Sequence, residues 1–230
     1  MVFHGLQKLT LLDFPGKVAA TLFTAGCNFR CPFCHNAALV THIENDNVYT
    51  EEEILSFLRK RKDILDGICV TGGEPLMHED ILPFLRAVKE LGFAVKLDTN
   101  GTFPDRLKSL VENGYVDYVA MDIKNSKERY SEAIGCETVP LNAIEESIRF
   151  LMGCGIPYEF RTTVVKGLHT EQDIENIAKW IAGAEKYFLQ NFVDSGDLIG
   201  VGMEAFSSKE LDSMRKNAVL HVPNTALRGV

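Results

Sequence analysis

Three cysteines, Cys27, Cys31 and Cys34, fall inside "GCNFRCPFCHN" at residues 26–36, a C-x3-C-x2-C spacing. Thiolates are soft ligands that suit zinc and iron–sulfur centres. A structural zinc takes four protein ligands, and His35 or another histidine would have to complete the set. His35 directly follows Cys34, and adjacent side chains rarely reach one ion. Three thiolates can instead wrap one corner of a four-iron cluster, each holding one iron. The fourth iron then has no protein ligand. An open coordination position marks a catalytic centre, and a small molecule binds there.

A second stretch, "TGGEP" from Thr71 to Pro75, pairs two glycines that let the backbone approach a ligand, with Pro75 fixing the turn after Glu74. Alone it is a common turn. Charged residues fall on one face of several β-rich runs, since side chains alternate with period two. Asp122 and Lys124 oppose Val119, Met121 and Ile123; Lys96 and Asp98 oppose Val95 and Leu97. Arg161 and Thr163 oppose Phe160, Thr162 and Val164, and Gln190 opposes Leu189. Local ion pairs such as Asp122 with Lys124 could account for single cases. A sheet covered by helices on both sides reads apolar on both faces. Charge on one face of four runs predicts a barrel with a polar interior lip, hence a site.

The elements that must carry these residues alternate. Strand patterns occupy 17–26, 67–73, 93–99, 118–124, 157–167 and 186–192. Helical patterns follow each, with Thr50 and Glu53 as a capping box ahead of one and Gly92 and Gly114 closing two others. Six βα units predict a parallel sheet with right-handed crossovers. The alternation fits a doubly wound sheet or a barrel, and both place chemistry at the C-terminal strand ends. The charged faces favour the barrel: an α/β fold, a partial (β/α)6 open barrel with outer helices. A full eight-unit barrel takes ~250 residues, so this one stays laterally open.

The chain has 230 residues, read as one domain over 1–230 with a core of about 15–192 and a C-terminal helix and tail at 205–230. A net charge of -8 argues against nucleic acid. The longest basic run, "RKRK" at 59–62, ends a helix, where cations favour the dipole. The first residues lack the pattern of a signal peptide, and no apolar run approaches the ~20 residues of a membrane span. A cytoplasmic protein is expected, with reduced thiols. Cys69 then reads as core, and Cys136 and Cys154 as structural or surface thiols.

Taken together, the cysteine motif with Phe33 before Cys34 and "GGEP" after the next strand resemble the radical S-adenosylmethionine (SAM) superfamily. "KLTLLDFPGKVAATLFTAGCNFRCPFCHN", "DTNG" and "MDIK" are similar to the glycyl-radical-enzyme activases. The likeness is greatest to activases of anaerobic ribonucleoside-triphosphate reductase, with those of pyruvate formate-lyase as neighbours. It covers roughly residues 5–167, and the αβ order extends it to about 192.

The resemblance implies a [4Fe–4S] cluster on Cys27, Cys31 and Cys34, whose open iron is chelated by SAM. One-electron reduction then cleaves the sulfonium and yields a 5′-deoxyadenosyl radical. It implies that Gly72, Gly73 and Glu74 meet the SAM amino group, that Phe33 lies near the adenine, and that Asp98, Thr99, Asp122 and Lys124 line the pocket. Lys124 and Arg161 become candidate catalytic groups, Arg161 by meeting a carboxylate. Gln190 is a further pocket candidate, although the motif that places a histidine near there in formate-lyase activases is missing. A monovalent cation is an additional implied ligand. The implied partners are a glycyl-radical enzyme, most of all anaerobic ribonucleotide reductase, and an electron donor such as flavodoxin or ferredoxin. The competing reading is a radical SAM enzyme acting on a small molecule, like the 7-carboxy-7-deazaguanine synthases.

Overall fold

The computed structural model describes residues 1–43 and 48–229. Six strands appear where the alternation predicts them: β3 (Ala19–Thr24), β5 (Gly67–Gly72), β6 (Ala94–Thr99), β7 (Tyr118–Asp122), β8 (Tyr158–Val164) and β9 (Tyr187–Asn191). Two more join them, β2 (Gly5–Thr10) and β10 (Thr225–Arg228). The sheet order is β10-β9-β8-β7-β6-β5-β3-β2, with β2 antiparallel and all other pairs parallel. The repeat is therefore longer than six strands. Residues read as a C-terminal tail contribute a seventh parallel strand, and an antiparallel strand borders the other edge. The two edge strands do not pair with each other, so the sheet stays open. A small antiparallel pair, β1 (Val2–Phe3) with β4 (Tyr49–Thr50), lies outside it.

The helices are α1 (Ala37–Thr41), α2 (Glu51–Arg59), α3 (Ile81–Glu90), α4 (Pro104–Glu112), α5 (Tyr130–Ile134), α6 (Leu141–Leu151), α7 (Glu171–Trp180) and α8 (Ser208–Val219). Side-chain caps set three starts: Thr50 with Glu53, Thr170 with Asp173 and Ser207 with Glu210 form reciprocal capping boxes. Arg59 falls in the last turn of α2, so the basic run is a helix end. Among the described residues no helix is long and apolar enough to cross a membrane.

Period two sorts each strand into two faces. Leu22, Val70, Leu97, Met121, Phe160 and Leu189 point outward and bury against helical residues such as Ile54, Phe84, Leu110, Ile148 and Ile177 in one continuous core. The opposite face carries Cys69, Lys96, Asp98, Asp122, Glu159, Arg161 and Gln190. Strand register sets Cys69 beside Lys96, Asp122 beside Arg161, and Thr163 beside Gln190. At the N-terminal end of this interior, Glu159 is 1% exposed and receives Arg228 Nη1 and Nη2 at 2.6 and 2.9 Å and the Tyr118 hydroxyl at 2.7 Å. The Arg228 guanidinium also lies 3.5 Å from the Phe188 ring centroid. Charge at this floor is buried but fully paired, the condition under which it is tolerated. The other end of the interior, where the parallel strands finish, is open.

Candidate active site

A cavity of about 220 Å³ occupies that C-terminal end, and the predicted residues converge on it. Its wall takes Cys27, Cys31, Phe33 and Cys34 from the loop after β3. Gly72, Gly73 and Glu74 come from the turn after β5, and Asp98 and Thr99 from β6. Asp122 ends β7 and Lys124 lies two residues beyond it, with Arg161 on β8 and Gln190 on β9. Every residue that the resemblance assigned to the cluster, to SAM or to catalysis lies on this one wall; Lys96, read on the same strand face, does not line it. The wall also takes Phe29 and Val40, which the sequence did not single out, and Asn36, Thr71, Asn100 and Thr163, which it showed only as members of their motifs and strands.

Five charged side chains form a ladder across three strands. Lys96 pairs with Asp98 Oδ1, and Arg161 Nη1 donates to Asp98 Oδ2 at 3.1 Å. Arg161 Nε donates to Asp122 Oδ1 at 2.9 Å, and Lys124 Nζ to Asp122 Oδ2 at 2.9 Å. Signs alternate along the chain, so each carboxylate sits between two cations. Burial pushes the Asp122 and Asp98 carboxyls up, but the flanking cations outweigh it and hold both below the usual carboxylate range. Burial likewise opposes the Lys124 ammonium, yet Asp122 keeps it firmly charged. The ladder has three cations for two anions, which leaves a surplus positive charge facing the cavity.

Cys69, read as an apolar core thiol, is fully buried but lies on the interior face. Its Sγ is 3.8 Å from Asp98 Oδ1 and 3.7 Å from Lys96 Nζ. Burial raises its thiol strongly, so it sits neutral under the ladder.

The turn after β5 approaches the cysteine loop so closely that only glycine fits. Gly72 has φ +115°, and a Cβ there would stand 2.4 Å from Thr24 O. A Cβ on Gly73 would stand 1.9 Å from Gly26 O. Backbone bonds seal the contact: Gly73 N–H to Thr24 O and Glu74 N–H to Gly26 O, both 2.8 Å. Glu74 is 1% exposed and its carboxylate is already occupied. Oε1 accepts from Leu76 N–H at 3.0 Å and Thr99 Oγ1 at 2.8 Å, and Oε2 from Asn100 N–H at 2.7 Å. Burial raises this carboxyl to about 7 against the pull of those donors. The carboxylate ties the "GGEP" turn to the "DTNG" turn, and Asn36 Nδ2 caps Gly72 O at 2.9 Å.

The cysteine loop is held from several sides. Arg30 Nη1 donates to Cys27 O and Phe29 O at 2.6 and 2.8 Å, Arg30 N–H to Ile134 O at 2.8 Å, and Gly200 N–H to Pro32 O at 2.7 Å. Burial raises the Cys27 thiol and pushes that of Cys31 up to about 12. Both thiols are therefore neutral without a metal, and a metal centre must displace their protons as it binds.

Residues 21–181 match the model of the radical SAM superfamily. The chain belongs to that superfamily. A protein of Methanocaldococcus jannaschii, named provisionally as a glycyl-radical enzyme activating enzyme, is 33% identical over 234 residues, covering 98% of this chain and 95% of that protein. The pyruvate formate-lyase-activating enzyme of Clostridium pasteurianum is 26% identical over 193 residues, 80% of this chain and 78% of its own. In fold, the chain is similar to SuiB of Streptococcus suis bound to S-adenosylmethionine, with a TM-score of 0.72 and 16% identity. That match covers 90% of this chain but only 49% of SuiB, so the chain spans about half of SuiB's length.

A radical SAM enzyme works with a four-iron cluster and SAM, and the donor set here fits the cluster. Three thiols line one wall of the cavity and lie close enough to influence one another electrostatically. Among the described residues no three His, Cys, Asp or Glu side chains converge on a point for one metal ion. Two thiolates on a tetrahedral zinc lie only about 3.8 Å apart, given ~2.3 Å Zn–S bonds, whereas a cluster spreads its thiolates over separate irons.

Proposed function

We propose that this protein is a glycyl-radical-enzyme activase: it cleaves SAM reductively and removes a hydrogen atom from a backbone glycine of a partner enzyme. Cys27, Cys31 and Cys34 would hold the [4Fe–4S] cluster. Once reduced by one electron, the cluster bound to SAM supplies the electron that breaks the sulfonium C–S bond.

The chain's own part is binding, orientation and exclusion of water. Lys124 and Arg161, each already fixed by Asp122, offer preset donors for a carboxylate, so little ordering is left to the moment of binding. The Gly73 carbonyl of the "GGEP" turn suits the amino group of the same ligand, since Gly72 O already accepts from Asn36 and Glu74 O from Met77 N–H; the Glu74 carboxylate serves to hold that turn in place. Phe33 and Gln190 bound the far side, where an adenine would stack and hydrogen-bond. A monovalent cation at Asp98, Thr99 and Asp122 would have to compete with Lys124 and Arg161, which already pair with the two carboxylates.

The observation that carries the reading is the wall itself. Cysteine loop, glycine turn and charge ladder share one cavity at the open end of a laterally open sheet, while most interior charges are already paired to one another. Few polar groups remain to recognise a small substrate, and an open side suits a segment of polypeptide. The near full-length similarity to a protein named as an activating enzyme supports the same conclusion.

We take anaerobic ribonucleotide reductase as the partner, on the "LTLLDFPGK" and "CNFRCPFCHN" stretches, with flavodoxin or ferredoxin as electron donor. Pyruvate formate-lyase is the second reading, favoured by the Clostridium relative. The test is electron paramagnetic resonance on an anaerobic mixture of this protein, SAM, a reductant and each candidate partner. A radical signal that disappears when the partner's glycine is changed to alanine is expected. Brisk SAM cleavage with no radical on any glycyl-radical enzyme would overturn the proposal.

A further inference from the structure

Asn28, Asn100 and Thr102 close a ring of hydrogen bonds at the rim of the cysteine loop. Asn100 Nδ2 donates to Asn28 Oδ1 at 2.8 Å, Asn28 Nδ2 to Thr102 Oγ1 at 3.0 Å, and Thr102 Oγ1 to Asn100 Oδ1 at 2.6 Å. Thr102 N–H also donates to Asn100 Oδ1, at 3.0 Å. A backbone N–H can only donate, so this last bond fixes which end of the Asn100 amide is oxygen. The amide nitrogen therefore faces Cys27, with Nδ2 3.9 Å from its Sγ. Asn100 is 5% exposed, and its own N–H is anchored on Glu74.

Cys27 is thereby singled out among the three thiols. Its sulfur has Asn100 Nδ2 on one side and Phe29 N–H at 3.4 Å on another, with Asn28 Oδ1, which accepts from Asn100 Nδ2, further off at 4.0 Å. Among the described residues no hydrogen bond reaches the sulfur of Cys31 or Cys34. Donors to a ligating thiolate stabilise the cluster state with more negative charge, which is the reduced one.

We propose that Asn100 is a positioning residue for electron entry: the ring holds its amide N–H on Cys27 and raises the reduction potential of the cluster. This rests on the three cysteines holding the cluster, and not on the identity of the partner. Asn28 and Thr102 act through Asn100 by denying its amide the flipped orientation, which would point an oxygen lone pair at the thiolate.

The experiment is anaerobic redox titration of the reconstituted protein, without SAM or partner, alongside iron analysis. Asn100→Ala is expected to keep its iron and to lower the ratio of reduced to oxidised cluster at a fixed solution potential about tenfold, which is 59 mV for a one-electron couple. Thr102→Val removes two ring bonds further from the cluster and is expected to shift the potential the same way by less. Should Asn100→Ala fail to hold iron, Thr102→Val decides alone. An unshifted potential in the iron-loaded variants overturns the proposal. So does an equal fall in Asn28→Ala, because that variant keeps the Asn100 amide and would point to a mechanical clamp. Absence of iron from the wild type would instead overturn the cluster assignment.

Discussion

Changing Gly73 to alanine tests whether the contact between the "GGEP" turn and the cysteine loop organises the site. The new Cβ would begin 1.9 Å from Gly26 O and 2.7 Å from Gly26 C, both backbone atoms that no rotamer change can move. Restoring an ordinary contact requires the two segments to part by about 1.5 Å. That distance breaks Glu74 N–H to Gly26 O and Gly73 N–H to Thr24 O, each 2.8 Å. Two buried backbone bonds at ~1 kcal/mol each, with up to ~3 for a donor left without a partner, give an expected loss of about 2–4 kcal/mol. The assay is urea unfolding of the apo-protein, with iron content after reconstitution measured in parallel. Gly16→Ala is the control: Gly16 has φ +73° but nothing within 4 Å of its added Cβ, so it should cost only about 1–2 kcal/mol of backbone strain. Gly73→Ala should exceed that control and hold less iron. Stability and iron content equal to wild type would refute the close-contact account.

Cys31→Ala should lose most of its iron and all deoxyadenosine formation, whereas Cys69→Ala should keep its iron; iron analysis separates the two thiol classes. Glu74 has a folded pKa raised to about 7, above its ordinary 4.5, so the folded state holds its proton longer. Its contribution to apo-protein stability should fall as pH rises from about 4.5 to about 7, and urea midpoints across that window should flatten in Glu74→Gln. Asp98 and Asp122 act with the opposite sign, their stabilisation being lost only as pH drops below the ordinary carboxylate range. Arg228→Met strands the buried Glu159 charge and should cost about 3 kcal/mol, part of which Glu159→Gln in the same chain restores.

The strands and their two faces were legible because period two leaves a mark on every strand long enough to show it. Lys96, Asp98, Asp122, Lys124 and Arg161 could be assigned to one interior from that mark alone. Strand β10 offers only the four residues "TALR", and β2 alternates poorly because its middle is exposed, so neither stands out. The amides were harder to place. Asn100 reads as half of an Asn-Gly turn, and its side chain acquires meaning only when Asn28, 72 residues earlier, folds against it. Glu74 was expected near the ligand only as part of the "GGEP" turn; the three donors that hold its carboxylate come from turns whose proximity no local pattern encodes.

The cysteine loop has internal bonds through Arg30, Phe29 and Cys34, but distant segments fix its place in the fold. Glu74 meets Gly26, Asn100 meets Asn28, Ile134 meets Arg30, and Gly200 meets Pro32. These partners become available only after the barrel has assembled, which sets an order of events in the life of the protein. The expected order is folding first and metal delivery second, the reverse of a zinc finger, in which the metal drives folding. The scaffold that would receive the cluster is thus expected to stand without it, and iron removal from the reconstituted protein should leave its urea midpoint far less changed than metal removal leaves a zinc finger.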